Sequence, residues 1–235
     1  MIKQVFSADK LQLGHNIIGG KITSAVAAYG TGYDFCRLYY ADSGGYILAY
    51  NGSMLCDGVF DADELSVFAG TLNADNIELS SDIALHIGDE YKKVGRTLFE
   101  LTPKENDIDR GCVKQNTLLH ECFEIISAGF GITDFDPWYV DISHRIRHGV
   151  SDIYIYKSTT VTKVFDNNGM VFLSHIATAP QARGKGTARS LLYYLCGELS
   201  RGGKKVYLYA RDERRSFYEE AGFIPVRYNY FYEKV

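Results

Sequence analysis

Residues 176–188 read Ile176-Ala177-Thr178-Ala179-Pro180-Gln181-Ala182-Arg183-Gly184-Lys185-Gly186-Thr187-Ala188, and this stretch decides the fold. Upstream, Met170 to Thr178 reads as a strand, with Asn167-Asn168-Gly169 as the turn before it. Downstream, Leu191, Leu192, Leu195, Cys196 and Leu199 recur at helical spacing, and Gly202-Gly203 ends that helix. A strand therefore passes through a glycine-containing turn into a helix. The first N–H groups of a helix lack intrahelical partners and carry the positive end of the macrodipole. Gly184 and Gly186 remove side chains that would hold an anion away, while Arg183 and Lys185 add positive charge. The expected ligand is a phosphate or pyrophosphate. The spacing is neither a Walker loop nor a dinucleotide fingerprint, and a purely structural turn remains the alternative.

A second segment favours the phosphate reading. About thirty residues on, the chain reads Arg211-Asp212-Glu213-Arg214-Arg215-Ser216-Phe217-Tyr218-Glu219-Glu220-Ala221-Gly222-Phe223. The first string resembles the Q/R-x-x-G-x-G/A motif of the GNAT superfamily of acyl-CoA N-acyltransferases, and the second resembles that family's closing helix. The resemblance covers roughly residues 112–235. It implies an α+β (α/β/α) fold, a mixed and mostly antiparallel sheet flanked by helices, with acetyl-CoA as co-substrate.

By the same resemblance, the strand ending at Thr178 splays from the strand Lys205 to Ala210, and acyl-CoA lies in the gap. Backbone groups of Ile176, Ala177 and Thr178 border the pantetheine, and Arg183, Gly184, Lys185, Gly186, Thr187 and Ala188 hold the pyrophosphate. Tyr218 sits near the thioester sulfur. Where the family often has Asn before the closing helix, this chain has Arg211 and Asp212, so contacts there stay open.

The implied reaction is direct attack of an amine on the thioester in a ternary complex, with Tyr218 as general acid toward the CoA thiolate. A core aromatic is the other reading of Tyr218. An amine of ordinary lysine-like basicity is protonated at neutral pH, so a base is needed. His175 is one candidate, against a packing role. Asp141, His144 and His148 share a helical face that is equally a solvated one. A water relay needs none of them. No metal is expected, because His120-Glu121 lacks the second histidine of HExxH.

The chain has 235 residues, 46% hydrophobic and 23% charged, with a net charge of −4. That balance is globular and gives no reason to expect nucleic acid or membrane as partner. The expected partners are acyl-CoA and an amine acceptor, and a homodimer is compatible with the sequence. Five cysteines, widely spaced and without a CxxC pair, suggest neither disulfides nor zinc, and a cytoplasmic protein is expected.

The polar, proline-containing segment Thr102-Pro103-Lys104-Glu105-Asn106-Asp107 divides the chain into residues 1–105 and 106–235. In the first part, Phe35 to Ala41 and Tyr46 to Asn51 form a hairpin about Asp42-Ser43-Gly44-Gly45. A helix follows over Asp61 to Leu72, then strands over Asn76 to Ser80 and Lys93 to Leu101. The segment Asp82 to Val94 loosely resembles a worn closing motif with a short helix. This order suggests a degenerate, GNAT-like N-terminal half; an unrelated accessory α+β domain is the rival. In the second part, helices are expected over Gln115 to Ser127 and from Asp136-Pro137, and the closing helix over Glu213 to Ala221. A non-catalytic acyl-CoA-binding sensor is the alternative function.

Overall fold

The computed structural model describes residues 1–8 and 11–235. In chain order the elements are β1 (Ile2–Val5), α1 (Ile17–Tyr29), β2 (Cys36–Ala41), β3 (Gly45–Tyr50), β4 (Ser53–Asp57), α2 (Ala62–Leu72), β5 (Asn76–Leu79) and β6 (Tyr91–Leu101). There follow β7 (Lys114–Gln115), α3 (Leu119–Phe130), α4 (Phe135–Arg147), β8 (Asp152–Tyr156), β9 (Thr159–Asn167) and β10 (Met170–Thr178). The chain closes with α5 (Thr187–Leu199), β11 (Lys205–Arg211), α6 (Arg215–Glu220) and β12 (Ile224–Lys234). They form two compact units: Met1–Thr97 with Arg227–Val235, and Leu98–Val226. This differs from a linear division at residue 105. The division falls within β6, so residues 98–105 belong to the second unit, and the last nine residues belong to the first.

In the first unit the strands run in the order β1-β2-β3-β4-β5, antiparallel except for the parallel pair β4 and β5. The C-terminal part of β12 completes this sheet, pairing Phe231 with Glu78 and Glu233 with Asn76. Ile47, Met54, Cys56, Ile77 and Leu79 of the strands bury against Leu65 and Ala69 of α2. Asp61 caps α2, accepting from the Glu64 N–H at 2.9 Å. The short helix expected within 82–94 is absent. There the Leu85 N–H donates to the Tyr232 hydroxyl at 3.0 Å and the His86 N–H to Ser66 at 2.9 Å. Side chains elsewhere thus take the donors that a helix would have used internally.

The second unit repeats the pattern: β7-β8-β9-β10-β11, antiparallel except for the parallel pair β10 and β11, with β6 beside β11. Strand alternation assigns the two faces. Ile153 and Ile155 pack under Cys122, Ile125 and Ile126 of α3. Tyr154, Val171, Leu173, Val206 and Leu208 pack against Leu191, Leu192, Leu195 and Cys196 of α5.

Two helix starts differ from expectation. α3 begins at Leu119 because residues 114–115 pair with β8, and the Asn116 side chain accepts from the Ile153 N–H at 2.9 Å. Asn116 and Leu118 take positive φ, which no helix admits. α4 begins at Phe135 with Asp134 at its cap position, so Asp136 lies inside the first turn. Pro137 is tolerated there because the first N–H groups of a helix have no partner to lose. The closing segment is shorter than expected. A tight turn over Asp212–Arg214 precedes the six-residue α6.

Candidate acyl-CoA site

The β10–β11 ladder runs from Met170 opposite Lys205 to Leu173 opposite Leu208 and stops there. Ser174 to Thr178 and Tyr209 to Arg211 continue as strand outside that ladder. Along the other edge of β10, pairing steps from Ser174–Thr162 to Ala177–Thr160. Two residues of β10, His175 and Ile176, therefore oppose the single Val161, which is a β-bulge. His175 carries it with φ of 47°, a left-handed conformation that is uncommon for a non-glycine residue. The bulge bends the strand where the ladder opens.

After Thr178 the chain makes a tight turn over Pro180–Ala182 and reaches α5 through Gly184 and Gly186, with φ of 78° and 72°. Gly186 occupies the cap position, supplies no side-chain cap, and no acidic residue lies in the first turn. The first N–H to close a turn belongs to Ser190, which donates to the Gly186 carbonyl at 3.0 Å. The donors from Gly184 to Ala188 have no backbone acceptor among the described residues. A Cβ at either glycine would meet nothing within 4 Å, so the loop faces open space. Lys185 is exposed and makes no ion pair among the described residues. These features suit a pyrophosphate.

The pantetheine contacts expected on β10 are partly committed elsewhere. The Thr178 carbonyl accepts from Arg183 Nε at 3.1 Å, and the Thr178 hydroxyl pairs with Thr159 at 2.9 Å. Ala177 is buried, in the cluster beneath α3. The His175 ring stands edge-on to Phe130 at 5.4 Å, where α3 ends.

Tyr218 is buried, its ring 5.5 Å from Phe99, 5.0 Å from Phe217 and 5.9 Å from Phe223. Burial pushes its hydroxyl up to about 12, with Arg214 opposing the shift. It is therefore both a core aromatic and a phenol that stays protonated at neutral pH.

Asp141 pairs with Arg145 at 3.9 Å, whose guanidinium donates to the Val164 carbonyl at 2.6 Å, so this pair anchors α4. His144 and His148 stack at 4.2 Å. One cation escaped the sequence reading. Arg189, in the first turn of α5, lies 5.8 Å over the Phe217 ring, and its Nε has no hydrogen-bond partner among the described residues. It falls one residue outside the glycine motif, and its contact is with Phe217 of α6. Among the described residues, no group of three or more His, Cys, Asp or Glu is arranged to hold a metal, and no helix is long and apolar enough to cross a membrane.

Residues 151–234 match the family model of the acetyltransferase (GNAT) domain. Residues 151–234 are thus a GNAT domain. Its activity class is that of a transferase, and members of the family use acetyl-CoA. No curated protein matches the chain. Among solved structures, the whole chain is similar to one described as a GNAT-family acetyltransferase from Novosphingobium aromaticivorans, with a TM-score of 0.58 and 16% identity, covering 94% of this chain and 100% of that one. A GCN5-related N-acetyltransferase from Kribbella flavida gives 0.59 at 13% identity, covering 92% and 93%. A GNAT-family acetyltransferase from Colwellia psychrerythraea gives 0.56 at 14%, covering 100% and 99%. At these identities the likeness shows the fold.

Proposed function

We propose that the second unit is an N-acyltransferase, moving an acetyl group from acetyl-CoA to an amine by direct attack in a ternary complex. One observation carries the reading. The β10–β11 ladder opens after Leu173 directly upstream of an uncapped helix N-terminus with open glycines. The amine nitrogen attacks the thioester carbonyl carbon, the C–N bond forms, and the C–S bond breaks as the intermediate collapses. Backbone N–H groups of β10 beyond the end of the ladder stabilise the oxyanion.

Tyr218 serves the departing sulfur. A free thiol has a pKa near 8.5, about three to four units below the Tyr218 hydroxyl, so outright proton transfer is uphill. Tyr218 therefore acts chiefly as a hydrogen-bond donor to the developing thiolate. His175, at the bulge, is the protein's candidate to accept the amine proton, with bound water as the alternative route. The pyrophosphate falls to the backbone from Gly184 to Ala188, with Lys185 and Arg189 adding charge; the Arg183 N–H, expected in this role, donates instead to the Pro180 carbonyl at 3.3 Å.

The first unit is read as a degenerate GNAT-like half, supported by its matching strand order and directions. Five free thiols, four of them buried, fit a reducing compartment, and we place the protein in the cytoplasm. The test is release of CoA thiol from acetyl-CoA across a panel of amines, with Tyr218→Phe alongside. Amine-dependent release that Tyr218→Phe slows supports the enzyme. Acetyl-CoA binding with no release for any amine favours the non-catalytic acyl-CoA-binding module.

A further inference from the structure

We propose that Lys104 and Tyr193 are positioning residues for Tyr218, acting together on the Ala221 carbonyl; this rests on the reading of Tyr218 above. The helix that carries Tyr218 has six residues and no side-chain cap at its start. So short a helix does not hold its own geometry in water, and its direction is set by tertiary contacts. Two of these meet at its end. Ala221 O accepts from Lys104 Nζ at 2.8 Å and from Tyr193 Oη at 2.8 Å. A carbonyl oxygen has two lone pairs, and both are used. A cation is also the favourable charge at a helix C-terminus.

The adjoining residues leave room for this arrangement and for little else. Gly222 has φ of 77°, and a Cβ there would overlap the Lys104 ammonium. Lys104 Nζ lies 5.3 Å over the Tyr193 ring, which stands edge-on to Phe223 at 5.9 Å. Phe223 in turn lies 5.9 Å from the Tyr218 ring, and its N–H donates to the Tyr218 carbonyl at 3.0 Å. Contact is therefore continuous from Lys104 to Tyr218.

Tyr193 sits on α5, whose other end begins at the glycine loop. Six residues of helix, roughly 9 Å, separate it from Thr187. The clamp thus refers Tyr218 to the same rigid element that presents the phosphate site. A lysine just after β6, in a segment that the sequence presents as a linker, becomes part of the catalytic geometry.

The test uses the full chain with ring-fluorinated tyrosine at position 218, read by fluorine NMR with CoA and with desulfo-CoA. In the parent protein CoA shifts the resonance more than desulfo-CoA, and that difference reports the sulfur. Lys104→Met loses most of the difference while its CoA affinity stays unchanged, and Lys104→Arg keeps it. Tyr193→Phe preserves the ring packing and loses part of the difference, so it decides the matter where Lys104→Met fails to fold. A full difference retained in both Lys104→Met and Tyr193→Phe overturns the clamp. A parent protein that binds CoA without a sulfur-dependent shift removes the Tyr218 reading and the clamp with it. One that binds no CoA removes the acyl-CoA site itself.

Discussion

At the β4–α2 junction four residues, 58–61, connect strand to helix; at the β10–α5 junction eight do, 179–186. Both follow the fourth strand of an antiparallel run and lead to a parallel neighbour. The shorter junction is closed. Asp61 fills the helix N-terminus with its own carboxylate, and Asp63 and Glu64 add negative charge to the first turn. All four residues of β5 pair with β4, and the Ser80 N–H extends the ladder onto the Cys56 carbonyl at 2.9 Å. The longer junction is open. Gly186 gives no cap, no acid lies in the first turn, and the β10–β11 ladder ends at Leu208. The same topology thus carries two different helix starts. The proposed anion site rests on the one that is uncapped, with glycines at positive φ and a ladder that ends early.

The comparison breaks most readily at Gly186. Gly186→Glu places a carboxylate and a Cβ at a position with φ of 72°, and acetyl-CoA affinity is expected to fall on the order of 100-fold or more, read by calorimetry. Tyr218→Phe comes next. Acetyl-CoA affinity should hold while CoA release slows by about 100-fold, the lower range for a positioned proton donor. Unchanged release would leave Tyr218 a core aromatic.

Asp61→Ala sharpens the other side. It should cost about 0.5–2 kcal/mol of stability in denaturant melts and leave acetyl-CoA affinity untouched. The smallest effect concerns pH. Because burial raises the Tyr218 hydroxyl to about 12 from an ordinary 10, its neutral form is favoured in the folded state. Its contribution to stability is complete below pH 10 and is lost as pH rises through 12. No inflection of the rate from Tyr218 should therefore appear below about pH 10.

Legibility followed local chemistry. The Gly184–Gly186 turn and the leucine stripe of α5 announced the second unit's candidate site, because glycine spacing and helical periodicity are properties of neighbouring residues. α1 left no such mark. Gly19 and Gly20 weaken its propensity, and its buried positions from Ile17 to Ala28 wrap most of its circumference. The start of α3 was hidden too, since Asn116 is fixed by Asp152 and Ile153, far along the chain. The placement of 227–235 in the first unit rests on long-range pairing with β5, which no local pattern encodes. Arg189 and Lys104 were silent for the same reason. Their neighbours, Phe217 and Ala221, lie 28 and 117 positions along the chain.

The most direct test of the central claim, that the second unit alone holds acyl-CoA, is the stoichiometry of acetyl-CoA binding by titration calorimetry, with Gly186→Glu beside the parent chain. We expect one site per chain, lost in the variant. Two sites per chain, or binding that survives Gly186→Glu, would contradict it.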